Sequence, residues 1–305
     1  MKILVPSVEE NWINDRIVSE YRRHTRHEIV ELGQKFDIAW INTPSLVNFY
    51  GPGLYVLTIA HIVPEKFNDL NELYNFESCK QFDQSVSLYT SYSDHTISFI
   101  NRNSITKKQI IKIPYWINTE LFFEIPDLLD ERLFTIGSFQ RDTEGSDLES
   151  PKLEKGPDIF IKVLKEIKKH KTNLRVLLSG LRRQYVIKQL EELDIEYEYY
   201  EMCDFKKMNE LYNMCDYYLV TSRYEGGPQA ILEASQTKCK ILSTNVGVSK
   251  DILHQDCVCK DESDMVWKIL TGVDKTEYNY LNVQNYEMKK VISQYDEFFE
   301  SLVES

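Results

Sequence analysis

The chain has 305 residues, enough for about two domains with sizeable cores. Its 36 Lys and Arg stand against 48 Asp and Glu, and the formal charge of −12 excludes a general binder of nucleic-acid phosphates. The start, Met1-Lys-Ile-Leu-Val-Pro6, reads as a short strand rather than a signal peptide, and no apolar run reaches the length of a membrane span, so a cytoplasmic protein is expected.

Apolar runs at Ile3–Val5, Ile38–Ile41, Tyr55–Ile59 and Val86–Tyr89 alternate with helix-compatible stretches, which predicts a small parallel sheet within residues 1–125. Between the first two runs, Ile13, Ile17 and Tyr21 space an amphipathic helix that also carries Arg16, Arg22, Arg23, His24, Arg26 and His27. Glu20, Glu28 and Glu31 dilute that basic run. A solvated helix face is its first account, and a peripheral contact with a membrane surface or an acidic acceptor is the second. His61 follows the third apolar run.

Pro126 breaks the pattern near Phe123–Leu128 and places a domain join there. A second series of strands follows at Leu133–Ile136, Val176–Leu178, Tyr197–Tyr200, Tyr217–Val220 and Ile241–Ser243, with helix patterns between them over residues 126–283. Residues 140–152 are polar and punctuated, and read as a loop. Over 284–305, Met288, Val291, Ile292, Tyr295, Phe298, Phe299 and Leu302 make the stripe of an amphipathic helix. The six cysteines, at 79, 203, 215, 239, 257 and 259, are too scattered for a zinc or redox motif and are expected to be structural thiols, with Cys257 and Cys259 packing on a short strand. No metal site is expected.

The most informative segment is Val220-Thr-Ser-Arg-Tyr-Glu-Gly-Gly-Pro-Gln-Ala-Ile-Leu-Glu-Ala-Ser235. It sets Glu225 before a Gly226-Gly227-Pro228 helix start and Glu233 about two helical turns inside the helix. Glycines let the backbone approach a ligand, proline suits a first helical position, and a helix start offers free N–H groups and partial positive charge to a phosphate. The strand before it, Tyr217–Thr221, and the strand after it, Cys239–Thr244, complete a βαβ unit, whose ligands gather at the carboxyl ends of the strands.

On these residues the chain resembles the retaining GT-B glycosyltransferases of family 4, whose Glu-x₇-Glu signature matches Glu225 to Glu233. Phe134–Gly137, Glu154-Lys-Gly156, Leu174–Gly180, Leu211–Asp216 and Ser243–Gly247 fall in the family's order, and Ile113–Phe122 is similar to its interdomain segment. The likeness covers roughly residues 110–300 well and the first hundred poorly. It implies two Rossmann-like doubly wound domains facing across a cleft: a reduced acceptor-side domain at 1–125, a nucleotide-sugar domain at 126–283, and a terminal helix at 284–305 crossing back to the first.

The resemblance also implies roles. Lys155 carries over by position as a cation for the donor pyrophosphate; Ser138 holds the place of the family's arginine, for which Arg141 is taken. Gly226, Gly227 and Pro228 would receive the phosphates, Glu233 the ribose hydroxyls, and the turn with Met202 and Cys203 the base. Glu225 and His61 would lie at the transferred sugar, although Ile62 replaces the aspartate that usually follows the histidine. The expected reaction is transfer from a nucleotide diphosphate sugar to a glycan or lipid-linked glycan hydroxyl, with no cofactor or metal. A nucleotide-sugar epimerase on the same scaffold and a catalytically silent sugar-nucleotide-binding module stay open beside it.

Overall fold

The computed structural model describes residues 1–7, 13–43, 46, 48–60, 62–63 and 83–304. They form two compact units, Met1–Trp116 with Met288–Ser305 and Ile117–Glu287. The division falls ahead of the join expected at residue 125. The connecting stretch is tied to the second unit, where the Phe123 and Ile125 N–H groups donate to Asn209 Oδ1 and Asn213 Oδ1 at 3.0 and 2.7 Å.

The first unit holds β1 (Lys2–Leu4), α1 (Ile13–His24), β2 (Glu28–Val30), β3 (Ile38–Ile41), β4 (Leu54–Thr58), β5 (Leu88–Ser91), α2 (Asp94–Arg102) and β6 (Ile110–Lys112). Its sheet runs β2-β1-β3-β4-β5-β6 with every pair parallel. The small, reduced sheet expected from sequence is therefore corrected to six strands. The two that were missed are the edges, where Glu28 faces solvent and β6 is only half-buried, so neither shows the apolar run of the fully buried β3 and β5.

The second unit begins with β7 (Phe134–Phe139) and a short antiparallel hairpin, β8 (Thr143–Glu144) and β9 (Ser150–Pro151), inside the stretch expected to be loop. Two-residue polar strands leave no periodic signal. A 3-10 turn at Leu153–Lys155 leads into α3 (Pro157–Lys168), which buries Phe160, Val163, Leu164 and Ile167 at helical spacing. Then come β10 (Leu174–Ser179), α4 (Gln184–Glu192), β11 (Glu196–Tyr200), α5 (Phe205–Asn213), β12 (Tyr217–Val220), α6 (Gln229–Gln236), β13 (Ile241–Thr244), α7 (Ser249–Ile252), β14 (Val258–Cys259), α8 (Glu262–Leu270) and α9 (Thr276–Val283). This sheet is also all parallel, in the order β11-β10-β7-β12-β13-β14. Strand order reverses between β7 and β12, the place where doubly wound sheets open a crevice for ligands.

The last helix, α10 (Met288–Glu304), belongs to the first unit and buries Met288, Val291, Ile292, Tyr295 and Phe299. Its Tyr295 and Phe299 rings surround Trp40 together with Tyr21 of α1, at centroid distances of 4.7 Å for Trp40 and Tyr295 and 4.9 Å for Tyr21 and Trp40. Buried Asp296 accepts from Tyr21 OH (3.0 Å), Thr25 Oγ1 (2.6 Å) and the Arg26 N–H (3.0 Å). This contact also uses part of the basic run: Arg26 forks onto Glu300, Arg22 donates to the Val5 carbonyl, and Arg16 is buried, leaving Arg23 and His24 exposed. Among the described residues no helix is long and apolar enough to cross a membrane. Asp296→Ala should strip three donors, the buried Tyr21 hydroxyl among them, of their acceptor and lower stability by about 1–3 kcal/mol, read from urea unfolding followed by tryptophan fluorescence. An unchanged midpoint would remove Asp296 as the tie between α1 and α10.

Candidate functional site

Two loops flank the point where the second sheet reverses: residues 140–156 after β7 and residues 221–228 after β12. Their spacing is set by backbone. Gly156 has φ +62, and a Cβ there would overlap the Thr221 carbonyl oxygen, so only glycine allows the approach. The Glu154 carbonyl accepts from the Arg223 and Tyr224 N–H groups at 2.8 and 3.2 Å, and the Arg223 guanidinium forks onto Asp158 with both contacts at 2.7 Å. That charge-assisted fork holds the Asp158 carboxyl below its ordinary value.

Lys155 and Glu225 meet in this frame. Lys155 Nζ donates to Glu225 Oε1 at 2.6 Å, with both side chains largely buried. Ser222 Oγ donates to the same Glu225 oxygen at 2.9 Å, and Gln140 Nε2 holds the Lys155 carbonyl at 3.0 Å. Two residues 70 apart in sequence are thus brought into one charged pair at the sheet's switch point.

A further glycine, not singled out in the sequence, makes a close backbone contact beside this loop. Gly226 and Gly227 both lie outside the left-handed region, whereas Gly247, after β13, has φ +49, and a Cβ on it would stand 2.6 Å from the Gly226 carbonyl oxygen and 3.0 Å from Pro228 Cδ. Gly247 thus packs against Gly226 and Pro228 at a distance and in a left-handed conformation that suit glycine. Pro228 sits one position earlier than expected, as the N-cap with ψ 113, because its extended backbone precedes the first helical residue, Gln229. It supplies no side-chain cap to the start of α6.

Glu233 is buried on α6, and its Oε2 accepts from Tyr212 OH of α5 at 2.9 Å. Burial, and after it the Glu233 charge, pushes the Tyr212 phenol well above its ordinary value. Arg141 is turned toward the hairpin, its Nε donating to the Thr143 carbonyl at 3.2 Å. Met202 is 55% exposed, and Cys203 Sγ lies 3.3 Å from Ser179 Oγ at the carboxyl end of β10. His61 lies outside the described residues. Among those described, no group of three His, Cys, Asp or Glu side chains could hold a metal ion.

Residues 150–269 match the family model described as Glycosyl transferases group 1. The matched stretch lies wholly within the second unit. No curated protein matches the sequence. Among solved structures, HepE of Anabaena in complex with UDP-glucose matches with a TM-score of 0.77 at 14% identity, over 99% of this chain and 100% of that one. Sucrose-phosphate synthase of Thermosynechococcus elongatus matches at 0.70 and 13% identity, covering 88% of this chain and 74% of that chain. A glycosyltransferase of Rickettsia africae matches at 0.70 and 12%, over 99% and 98%. Together with the two parallel sheets, these likenesses make the fold GT-B.

Several residues that organise the second unit gave no sequence signal. Arg183 is fully buried and paired with buried Asp142, and it donates to the Ser138 carbonyl (2.5 Å), Ser138 Oγ (3.2 Å) and the Ser179 carbonyl (2.9 Å). An arginine therefore reaches the Ser138 position from another element, but Asp142 neutralises it there. Burial pushes the Asp142 carboxyl up while Arg183 opposes the shift. An arginine in a polar stretch reads as solvated, so nothing in the sequence marks it. Gly156→Ala should cost at least about 1–2 kcal/mol from left-handed strain alone, more with the clash on Thr221, and chemical denaturation would show it. A variant as stable as the parent would contradict the close approach.

Proposed function

We propose that the protein is a retaining glycosyltransferase that moves a sugar from a nucleotide diphosphate sugar to the hydroxyl of a glycan or lipid-linked glycan without a bound metal. The observation that carries this reading is the Lys155–Glu225 pair at the switch point of the sheet whose residues 150–269 match the group 1 glycosyl transferase model, beside a helix start whose N-cap, Pro228, supplies no side-chain cap. An ammonium has three donors. One serves Glu225, and the others are available to a pyrophosphate that also meets the N-terminal N–H groups of α6 around Gly226, Gly227 and Pro228. Arg141, whose Nε donates to the Thr143 carbonyl, would turn its terminal amino groups to the same phosphates. Positive charge placed where the leaving group gains negative charge stabilises the transition state more than the bound donor.

In this reading Glu233 accepts the ribose hydroxyls, Met202 and Cys203 border the base, and Glu225 addresses the transferred sugar. The leaving phosphate oxygen takes the acceptor's proton on the face it departs from, so the new bond has the anomeric configuration of the old one. HepE, whose structure contains UDP-glucose, supports a nucleotide-sugar ligand for this fold. A thermal-shift series of uridine, guanosine and adenosine diphosphate sugars should single out one donor, since a ligand of the native state alone raises its melting temperature.

With that donor, Lys155→Ala should lower turnover roughly a hundredfold or more, the scale of losing one charge-stabilising donor. Turnover within a few-fold of the parent would take Lys155 out of the phosphate site. Activity should persist after exhaustive chelation, and loss restored by magnesium or manganese would reject the metal-free reading. Proton NMR of fresh product made from an α-linked donor should show an α linkage; a β linkage would overturn retention.

A further inference from the structure

Tyr212 is a buried polar group that the proposed reaction does not use directly. It lies on α5, 1% exposed, in a cage of rings whose centroids stand 4.9 Å away for Phe139, 5.1 Å for Tyr218 and 6.1 Å for Phe122. Such packing leaves the ring one orientation. Its hydroxyl is aimed at Glu233 Oε2, 2.9 Å away on the neighbouring helix, and the Glu233 side chain is itself buried. The phenol keeps its proton because burial holds its acidity far from neutral pH. It is therefore a permanent donor to that carboxylate, and a donor fixed by packing limits where the second carboxylate oxygen can point.

We infer that Tyr212 is a positioning residue that orients the Glu233 carboxylate toward a ribose hydroxyl and so sets the preference for ribonucleoside over deoxyribonucleoside diphosphates. The inference rests on the assignment of Glu233 as the ribose ligand. Carboxylate geometry matters here because a site built to pair a hydroxyl rejects the analogue lacking it by leaving its own buried group unpaired. Without the phenol, the Glu233 carboxylate would lose one fixed donor, and the ribose hydroxyl would meet a less preorganised acceptor while the phosphates kept their contacts.

The test is calorimetric titration of the parent, Tyr212→Phe and Glu233→Ala with UDP, GDP and ADP, and with the 2′-deoxy and 3′-deoxy forms of whichever binds tightest. Tyr212→Phe keeps the ring in its cage and removes only the oxygen. It should weaken the ribonucleotide about tenfold, the scale of one hydrogen bond to a charged group, and leave unchanged the affinity for the deoxy form that lacks the recognised hydroxyl. A purely structural role would weaken ribo and deoxy forms alike, and that result overturns the inference. Should Tyr212→Phe fail to fold, Tyr212→Met, smaller but flexible enough to repack the cage, also lacks the hydroxyl and carries the same expectation. Glu233→Ala separates the two claims. If it binds the ribonucleotide as tightly as the parent, the ribose assignment fails and Tyr212 falls with it. If Glu233→Ala loses the ribo preference while Tyr212→Phe keeps it, only the role of Tyr212 is rejected.

Discussion

The contact between Gly156 and the Thr221 carbonyl decides how closely the two loops at the switch point can come. Any side chain at 156 would push the β7 loop off the β12 loop. With the contact made, Glu154 can accept from the Arg223 and Tyr224 backbone, Arg223 can fork onto Asp158, and Lys155 can pair with Glu225. The same geometry recurs one strand further on, where Gly247 sits against the Gly226 carbonyl and Thr244 Oγ1 donates to the Ser222 carbonyl at 2.5 Å. The carboxyl ends of three parallel strands are thereby closed to backbone distance, which concentrates polar groups in a small volume.

Charge in this region is organised by burial more than by number. Arg183 and Asp142 are a fully buried pair, and such a pair contributes little net stability because desolvation opposes the attraction. Its use is geometric. The guanidinium's remaining donors go to Ser138 and Ser179, at the ends of β7 and β10, so the loop that carries Gln140, Arg141 and Lys155 leaves the sheet in one direction. Lys155 and Glu225 are less deeply buried, with side chains 21% and 11% exposed. A pair that retains some contact with solvent can exchange partners at modest cost, as a residue that meets a charged ligand must.

The two units use one sheet design and differ in what their termini do. Each has six parallel strands with one reversal of order, between β1 and β3 in the first and between β7 and β12 in the second. The first unit completes its core with a helix from the far end of the chain, whose Tyr295 and Phe299 pack on Trp40 and whose buried Asp296 joins the end of α1. The chain therefore crosses between the units twice, once at 116 and again near 288. Two crossings make the first unit's stability depend on residues synthesised after the second unit.

The βαβ segment around Glu225 and Glu233 was legible because local chemistry dictates it: a buried strand, a glycine-proline break and an apolar helix stripe are all short-range patterns. The central strands of both sheets were legible for the same reason, since strands covered on two faces read as continuous apolar runs. The edges β2 and β6, the hairpin inside the β7 loop, and the division at 116 rather than 125 were not. Their residues are polar or half-exposed, and hydrogen bonds from distant elements place them. The sequence by itself determined which residue types stand at the loops after β7 and β12. Only the tertiary structure decided that Lys155 touches Glu225, that Gly247 packs in a left-handed conformation against Gly226, that Arg183 is buried against Asp142, and that Tyr212 donates to Glu233. Each of those is a contact between elements, and contacts at long sequence separation arise from packing the strands in a non-sequential order that no local pattern encodes.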